Sequence, residues 1–330
     1  MIKKILITGA NGLIGHHLVD HILVNTDWQV YCLYNKSIEK ITNSKHYSDN
    51  KGRVFLYQKD LSKEFTEEEV KSFNDVNFIV NLASESHIEK SIEYPKNFIN
   101  NNIQIILNVL EFSRKINIEK LIQFSSDEVY GPINGKPHIE WSNVVPTNPY
   151  SGSKAAQDCL SIAYWKTYDV PLIITNSMAV FGQGQNNEKY VPKIIKSIVS
   201  GNAIDIHSSD GEIGVRSYLH ARNVSSAILF ILNSVDVKYA YKSNLPERLN
   251  ISGGHRFNNL EFAKIISDII DKPINYNIVD VNVTRPNHDR EYGLDDQKLK
   301  GLGFRYPVEF YESLRSTVLD IYDSYAEGMK

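Results

Sequence analysis

Ser126, Asp127 and Glu128, followed downstream by Tyr150 and Lys154, bring a hydroxyl, two adjacent carboxyls, a phenol and an ammonium into one short part of the chain. Two neighbouring carboxyls in different surroundings can hold different protonation states, so one can act as acid while the other acts as base. Tyr150 and Lys154 are four residues apart and share a face if the segment is helical. An ammonium beside a phenol is expected to lower its pKa and make a usable base near neutrality. Ser126 could hydrogen-bond the same substrate hydroxyl. With a nicotinamide at hand, this set suits hydride removal from an alcohol carbon combined with acid–base elimination. Plainer readings exist for each part: Tyr-x-x-x-Lys arises by chance, and paired acids commonly form a solvated turn.

Such groups need a scaffold, and the N-terminus supplies one. The apolar run Ile5-Leu6-Ile7 ends at Thr8-Gly9, and Gly9-Ala10-Asn11-Gly12-Leu13-Ile14-Gly15 opens an amphipathic segment carrying Leu18, Val19, Ile22 and Leu23. Glycines there permit a tight turn and close approach of a pyrophosphate to backbone amides at a helix start. The bland alternative is a strand-to-helix turn with no ligand; its place after the first strand favours a dinucleotide. Further apolar runs at 28–34, 54–57, 77–83, 120–124 and 172–176 alternate with helical segments, notably 97–115 and 150–168. That alternation predicts an α/β protein with a doubly wound parallel Rossmann sheet.

The expected cofactor contacts are Gly9, Asn11, Gly12, Leu13, Ile14 and Gly15, then Asn35 and Lys36 after the second strand, Asp60 and Leu61 after the third, and Leu82, Ala83 and Ser84 after the fourth. Tyr150 and Lys154 complete the set. Asn35 stands where an acidic residue would receive the ribose hydroxyls and repel a 2′-phosphate. NAD is the expected cofactor, with NADP left open. Asp60 could accept from the adenine amino group or cap a turn.

At 330 residues the chain can build one large or two modest domains, and a formal charge of −3 with 42% apolar residues fits an ordinary globular protein. The absence of a basic field makes nucleic acid a poor partner. Lys3-Lys4 leads straight into a strand without the pattern of a signal peptide, no apolar run reaches membrane-span length, and no metal-ligand spacing occurs. Cys32 and Cys159 are expected as buried, reduced thiols, and the cytoplasm as the location.

The glycine loop, Ser126 and Tyr150-x-x-x-Lys154 together resemble the extended short-chain dehydrogenase/reductase superfamily, in the branch acting on nucleotide sugars. The resemblance tightens at Asn81-Leu82-Ala83-Ser84-Glu85-Ser86-His87, at Ser126-Asp127-Glu128-Val129-Tyr130-Gly131, at Asn187-Glu188-Lys189-Tyr190-Val191-Pro192 and at Arg285-Pro286-Asn287-His288-Asp289-Arg290. These are similar to motifs of the dTDP-glucose 4,6-dehydratase family, and the likeness runs from Ile5 to about Gly303. It implies Asp127 as the acid and Glu128 as the base of a C5/C6 water elimination. It also implies substrate contacts from Ser86, His87, Asn176, Glu188, Lys189, Arg216, Arg285 and His288, and a homodimer packed through the two long helices.

By this reading 1–178 and 216–253 form the dinucleotide-binding domain, and 179–215 with 254–330 form a smaller α/β substrate lobe. Arg216 and Arg285 are candidates for a diphosphate, since guanidinium forks match phosphate oxygens; surface ion pairing is the alternative for each. Lys193 faces either phosphate or solvent. Three departures from the family pattern stand out: Ser126 replaces Thr, the stretch Asn176 to Gly182 lacks the family's paired asparagines, with Ala179 unable to make an amide hydrogen bond, and Asn223 replaces Asp. They point to an altered sugar or nucleotide. The competing readings are a 4-epimerase or decarboxylase of the same superfamily, which needs only Ser126, Tyr150 and Lys154, and a cofactor-binding sensor without catalysis.

Overall fold

The computed structural model of the chain describes residues 2–209, 211–283 and 289–327. In chain order the strands are β1 (Lys4–Thr8), β2 (Gln29–Tyr34), β3 (Val54–Gln58), β4 (Phe78–Asn81), β5 (Lys120–Ser126), β6 (Leu172–Ser177) and β7 (Ala179–Phe181). They continue with β8 (Ile204–Ser209), β9 (Glu212–Ile213), β10 (Val215–His220), β11 (Glu247–Ile251), β12 (His255–Asn258) and β13 (Tyr276–Asp280). The main sheet has seven strands in the order β11-β6-β5-β4-β1-β2-β3, every neighbouring pair parallel. This is the doubly wound architecture expected from the alternating apolar runs, with the order reversing between β1 and β4.

Successive strand residues point to opposite faces, and the core divides accordingly. Ile5, Ile7, Val30, Val80 and Ile122 pack with helices Leu13–Asn25 and Ala221–Ser234. Leu6, Leu33, Ile79, Leu121 and Ile174 pack with helices Pro95–Ser113 and Pro149–Tyr168. The second of these begins sharply because Pro149 occupies its first turn and Asn148 and Ser151 form a reciprocal capping box. That start fixes where Tyr150 stands.

Two small sheets, β12-β10-β7 and β13-β8-β9, pack with helices Tyr190–Ser200, Asn259–Ile270 and Phe310–Glu327. Ile194, Ile195, Phe262, Ile266, Leu314 and Val318 fill the core there. Only Met178 separates β6 from β7, and its N–H donates to Ile251 O at 3.3 Å.

The division between the two parts differs from the sequence expectation at two places. Residues 216–220 run in the small sheet as β10, paired with β7 and β12. Leu299 and Phe304 return to the main core, where the Phe304 ring meets Phe230 at 5.4 Å between centroids. Burial also corrects the reading of the cysteines: Cys32 is buried, whereas Cys159 is exposed, because its position on the Pro149–Tyr168 helix faces away from the sheet. Among the described residues no helix is long and apolar enough to cross a membrane, and no cluster of side chains could hold a metal ion.

Candidate active site

The C-terminal edge of the main sheet opens into a cavity of about 570 Å³. Gly9, Gly12, Leu13, Ile14 and Gly15 line one end of it. Gly9 has φ +64°, and a Cβ there would lie 3.0 Å from Ala83 N. A Cβ on Gly15 would lie 2.3 Å from Gly9 O, so the turn closes only with glycine at both places. Gly12 caps the helix Leu13–Asn25 without any side-chain hydrogen bond, leaving first-turn amides for an anion. Glycine cradle and open helix start together fit a dinucleotide pyrophosphate.

A chain of buried amides ties this end to the catalytic groups. Thr8 Oγ1 donates to Asn81 Oδ1 at 2.6 Å and accepts from Leu82 and Ala83 N–H. Asn81 Nδ2 donates to Gln123 Oε1 at 2.7 Å, and Gln123 Nε2 reaches Gln157 Oε1 at 3.3 Å. Gln157 Oε1 also accepts from Lys154 Nζ at 2.8 Å.

Leu82 and Ser84 line the cavity, while Ala83 supports the turn from behind. The other expected cofactor contacts lie outside the cavity lining. Asn11 Oδ1 accepts from Lys40 N–H and its Nδ2 donates to Ser37, which anchors the glycine loop to the segment after β2. Asn35 and Lys36 are exposed at the end of β2. Asp60 accepts from Ser62 N–H at 2.9 Å, and the Ser62 side chain first, then this N–H, hold its carboxyl below the usual range. Leu61 is buried in the core and its carbonyl accepts from Asn108, so its side chain serves packing.

Ser126, Asp127, Glu128, Tyr150 and Lys154 all line the same cavity. Ser126 Oγ donates to Asp127 Oδ1 at 3.0 Å, and Asn148 Nδ2 donates to Glu128 Oε2 at 2.9 Å. Asn148 thus starts the helix that carries Tyr150 and Lys154 and also orients the Glu128 carboxyl, a second task that its capping position alone does not reveal. Burial, and then the charge of Glu128, push Asp127 up to about 7, against the pull of Ser126 and Arg216. Asp127 can therefore keep its proton up to near neutrality, well above the ordinary carboxyl range.

The expected pairing of Lys154 with Tyr150 needs correction. Lys154 Nζ donates to Phe124 O at 2.6 Å and to Gln157, and the phenol is raised above its ordinary value by burial and by Glu128 and Asp127. A hydrogen bond with Ser126 works in the opposite direction. Burial lowers Lys154 to about 8, opposed by the charge of Asp158.

On the far wall, Lys189 Nζ donates to Ser86 O at 2.8 Å and to Ser86 Oγ at 3.2 Å, joining two expected contacts 103 positions apart. His87, Glu188 and Lys193 also line the cavity. Arg216 lies over the Tyr292 ring at 4.6 Å and donates to Val215, Arg290 and Asp289 carbonyls. Tyr292 is a lining residue that the sequence reading missed; its hydroxyl donates to Asp289 Oδ2 at 2.7 Å. Asn176 is corrected: fully buried, it donates to Ser126 O at 2.8 Å and accepts from Tyr130 OH, so it props up the strand end instead of facing the cavity. Arg285 and His288 lie outside the described residues.

Comparison with known proteins agrees with this geometry. The low-salt glycan biosynthesis protein Agl12 of Haloferax volcanii is 30% identical over 318 residues, covering 95% of this chain and 97% of that protein. The dTDP-D-glucose 4,6-dehydratase of Homo sapiens is 28% identical over 328 residues, covering 96% of this chain and 89% of that protein. A crystal structure of dTDP-glucose 4,6-dehydratase from Streptomyces venezuelae, with NAD bound, matches with a TM-score of 0.85 at 26% identity, covering 99% of this chain and 100% of that one. The model of the NAD dependent epimerase/dehydratase family matches residues 5–251, and the chain belongs to that family.

Proposed function

We propose that this chain is a cytoplasmic nucleotide-sugar 4,6-dehydratase, converting an NDP-hexose to the NDP-4-keto-6-deoxyhexose. The observation that carries this reading is the adjacent pair Asp127 and Glu128, lining one cavity with Tyr150, with the Asp127 carboxyl raised toward neutrality by burial. An epimerase or decarboxylase has no use for both carboxyls. NAD, when bound, supplies the acceptor that takes the C4 hydride and returns it to C6, and its oxidised form supplies a positive charge.

Tyr150 receives the proton of the C4 hydroxyl, with Ser126 bonded to the same oxygen. Burial and the two neighbouring carboxyls hold the phenol above its ordinary value, so positive charge entering the cavity favours its base form. The 4-ketone then acidifies C5–H, which an unactivated carbon could not lose to a carboxylate. Glu128, oriented by Asn148, takes that proton while Asp127 gives its own to the C6 oxygen, and water leaves. A hydride at C6 and a proton at C5 complete the product. Lys193, Lys189 and Arg216 are the cations we assign to the diphosphate side of the cavity.

The test is isotopic. NDP-hexose carrying deuterium at C4 should give product with that deuterium at C6, read by mass spectrometry and NMR. Deuterium left at C4, or lost to solvent, would remove the dehydration cycle; an epimer without water loss would select the epimerase. The same reading assigns a homodimer joined through Pro95–Ser113 and Pro149–Tyr168, where Cys159 and Tyr168 are exposed. Sedimentation should give the mass of two chains, and the mass of one would overturn that assembly.

A further inference from the structure

We propose that the buried Asp158–Arg248 pair is a positioning element of this site, with Asp158 providing the counter-charge of Lys154 and anchoring Ser125 directly behind Ser126. Asp158 and Arg248 side chains are 2% and 1% exposed, and Arg248 Nη2 meets Asp158 Oδ2 at 3.0 Å. The same Oδ2 accepts from Ser125 Oγ at 3.0 Å. Lys154 lies four residues before Asp158 on the helix Pro149–Tyr168, so the two are neighbours on one face. Lys154 Nζ itself bonds only neutral oxygens among those described, Phe124 O and Gln157 Oε1.

Arg248 extends the anchorage to the acid-bearing segment. Its guanidinium lies over Trp141 at 4.6 Å and reaches Tyr130 OH at 3.4 Å, and Tyr130 directly follows Asp127-Glu128-Val129. Stability alone does not explain the pair. Well-packed apolar residues of similar volume are often as stable as a buried ion pair. Here Asp158 Oδ1 and Arg248 Nε also lack hydrogen-bond partners, an added desolvation cost.

Tyr150 and Asp158 share the helix of Lys154, Arg248 on β11 pairs with Asp158, and Asp127 and Glu128 after β5 line the same cavity as Lys154; from helix Pro95–Ser113 the neutral Asn102 meets Ser153, next to Lys154 in the chain. Asp158 is the carboxyl that favours the ammonium, and burial pushes its own pKa up against the pull of Arg248 and Lys154, so the arginine is what keeps a counter-charge there.

Two readouts test the proposal, of which only the second rests on the dehydratase reading. Protein labelled with 13C at lysine Cε, with Lys154 assigned by Lys154→Met, should show Asp158→Asn lowering the Lys154 titration by about one pH unit or more. The alkaline limb of the first oxidation, followed as cofactor reduction before water is lost, should move to lower pH with it. An unmoved Lys154 titration, or an oxidation rate reduced equally at every pH, would overturn the proposal. A moved lysine with an unmoved limb would uphold the counter-charge and overturn Lys154's part in the proposed reaction. If Asp158→Asn fails to fold because Arg248 is left alone, the double variant Asp158→Asn/Arg248→Met removes both charges together and carries the same readouts.

Discussion

Replacing Asp127 with Asn should leave the first oxidation of the sugar intact and stop the reaction at water loss. Asn keeps the shape of the side chain but has no acidic proton for the C6 oxygen. General acid catalysis contributes about 10²–10⁴ in rate, and kcat for dehydration should fall by that order. Reduced cofactor should accumulate with the 4-ketone, visible by absorbance. Glu128→Gln should stop at the same point, because C5 keeps its proton. Wild-type rates of dehydration in either variant would remove the assignment.

The pH dependence has a defined sign. Asp127 loses its proton through about 7, so elimination by the parent enzyme should fall above neutrality, and that limb should vanish in Asp127→Asn. The folded protein binds a proton between the ordinary 3.8 and about 7 that the unfolded chain has released. Stability therefore declines as pH rises across that window. At pH 8 the Asn variant should be the more stable protein, by on the order of a few kcal/mol at most. Thermal melts at pH 5 and pH 8 would show it.

The second large effect concerns the glycine turn. In Gly15→Ala the new Cβ would meet Gly9 O at 2.3 Å and Ala10 O at 2.6 Å, and backbone cannot yield as a flexible side chain does. Overpacking of this kind costs about 1–3 kcal/mol. Opening the turn spoils the amide cradle, so NAD affinity should fall by about tenfold or more, since 1.4 kcal/mol is a factor of ten. Calorimetric titration measures it directly. Undiminished affinity in the folded variant would mean that this turn does not hold the cofactor.

The main sheet was legible because β1, β2, β4, β5 and β6 are apolar runs buried on both faces, and their period and length declare them. The small sheets were not. β13 reads Tyr-Asn-Ile-Val-Asp and is largely exposed, so it lacks the contrast on which pattern reading depends. That Ser126, Asp127, Glu128, Tyr150 and Lys154 gather in one cavity was legible from type and spacing, but their surroundings were not. Spacing placed Tyr150 and Lys154 on one face, whereas the ammonium bonds Phe124 and Gln157, residues that no local pattern links to it. Asn176 misled because an amide at a strand end looks alike whether it meets a ligand or a neighbouring carbonyl. Arg248 did offer a signal: an arginine within the buried strand Glu-Arg-Leu-Asn-Ile demands a partner, though only the fold reveals Asp158.

Met178 is all that lies between the strand closing the catalytic edge and the strand opening the smaller part. A nearly unbroken extended run from Leu172 to Phe181 thus joins the main sheet to the smaller one, and its second half, from Ser177 onward, lines the cavity. At the rim of the cavity the Lys189 ammonium spans to Ser86, a link of two hydrogen bonds across chain segments 103 positions apart.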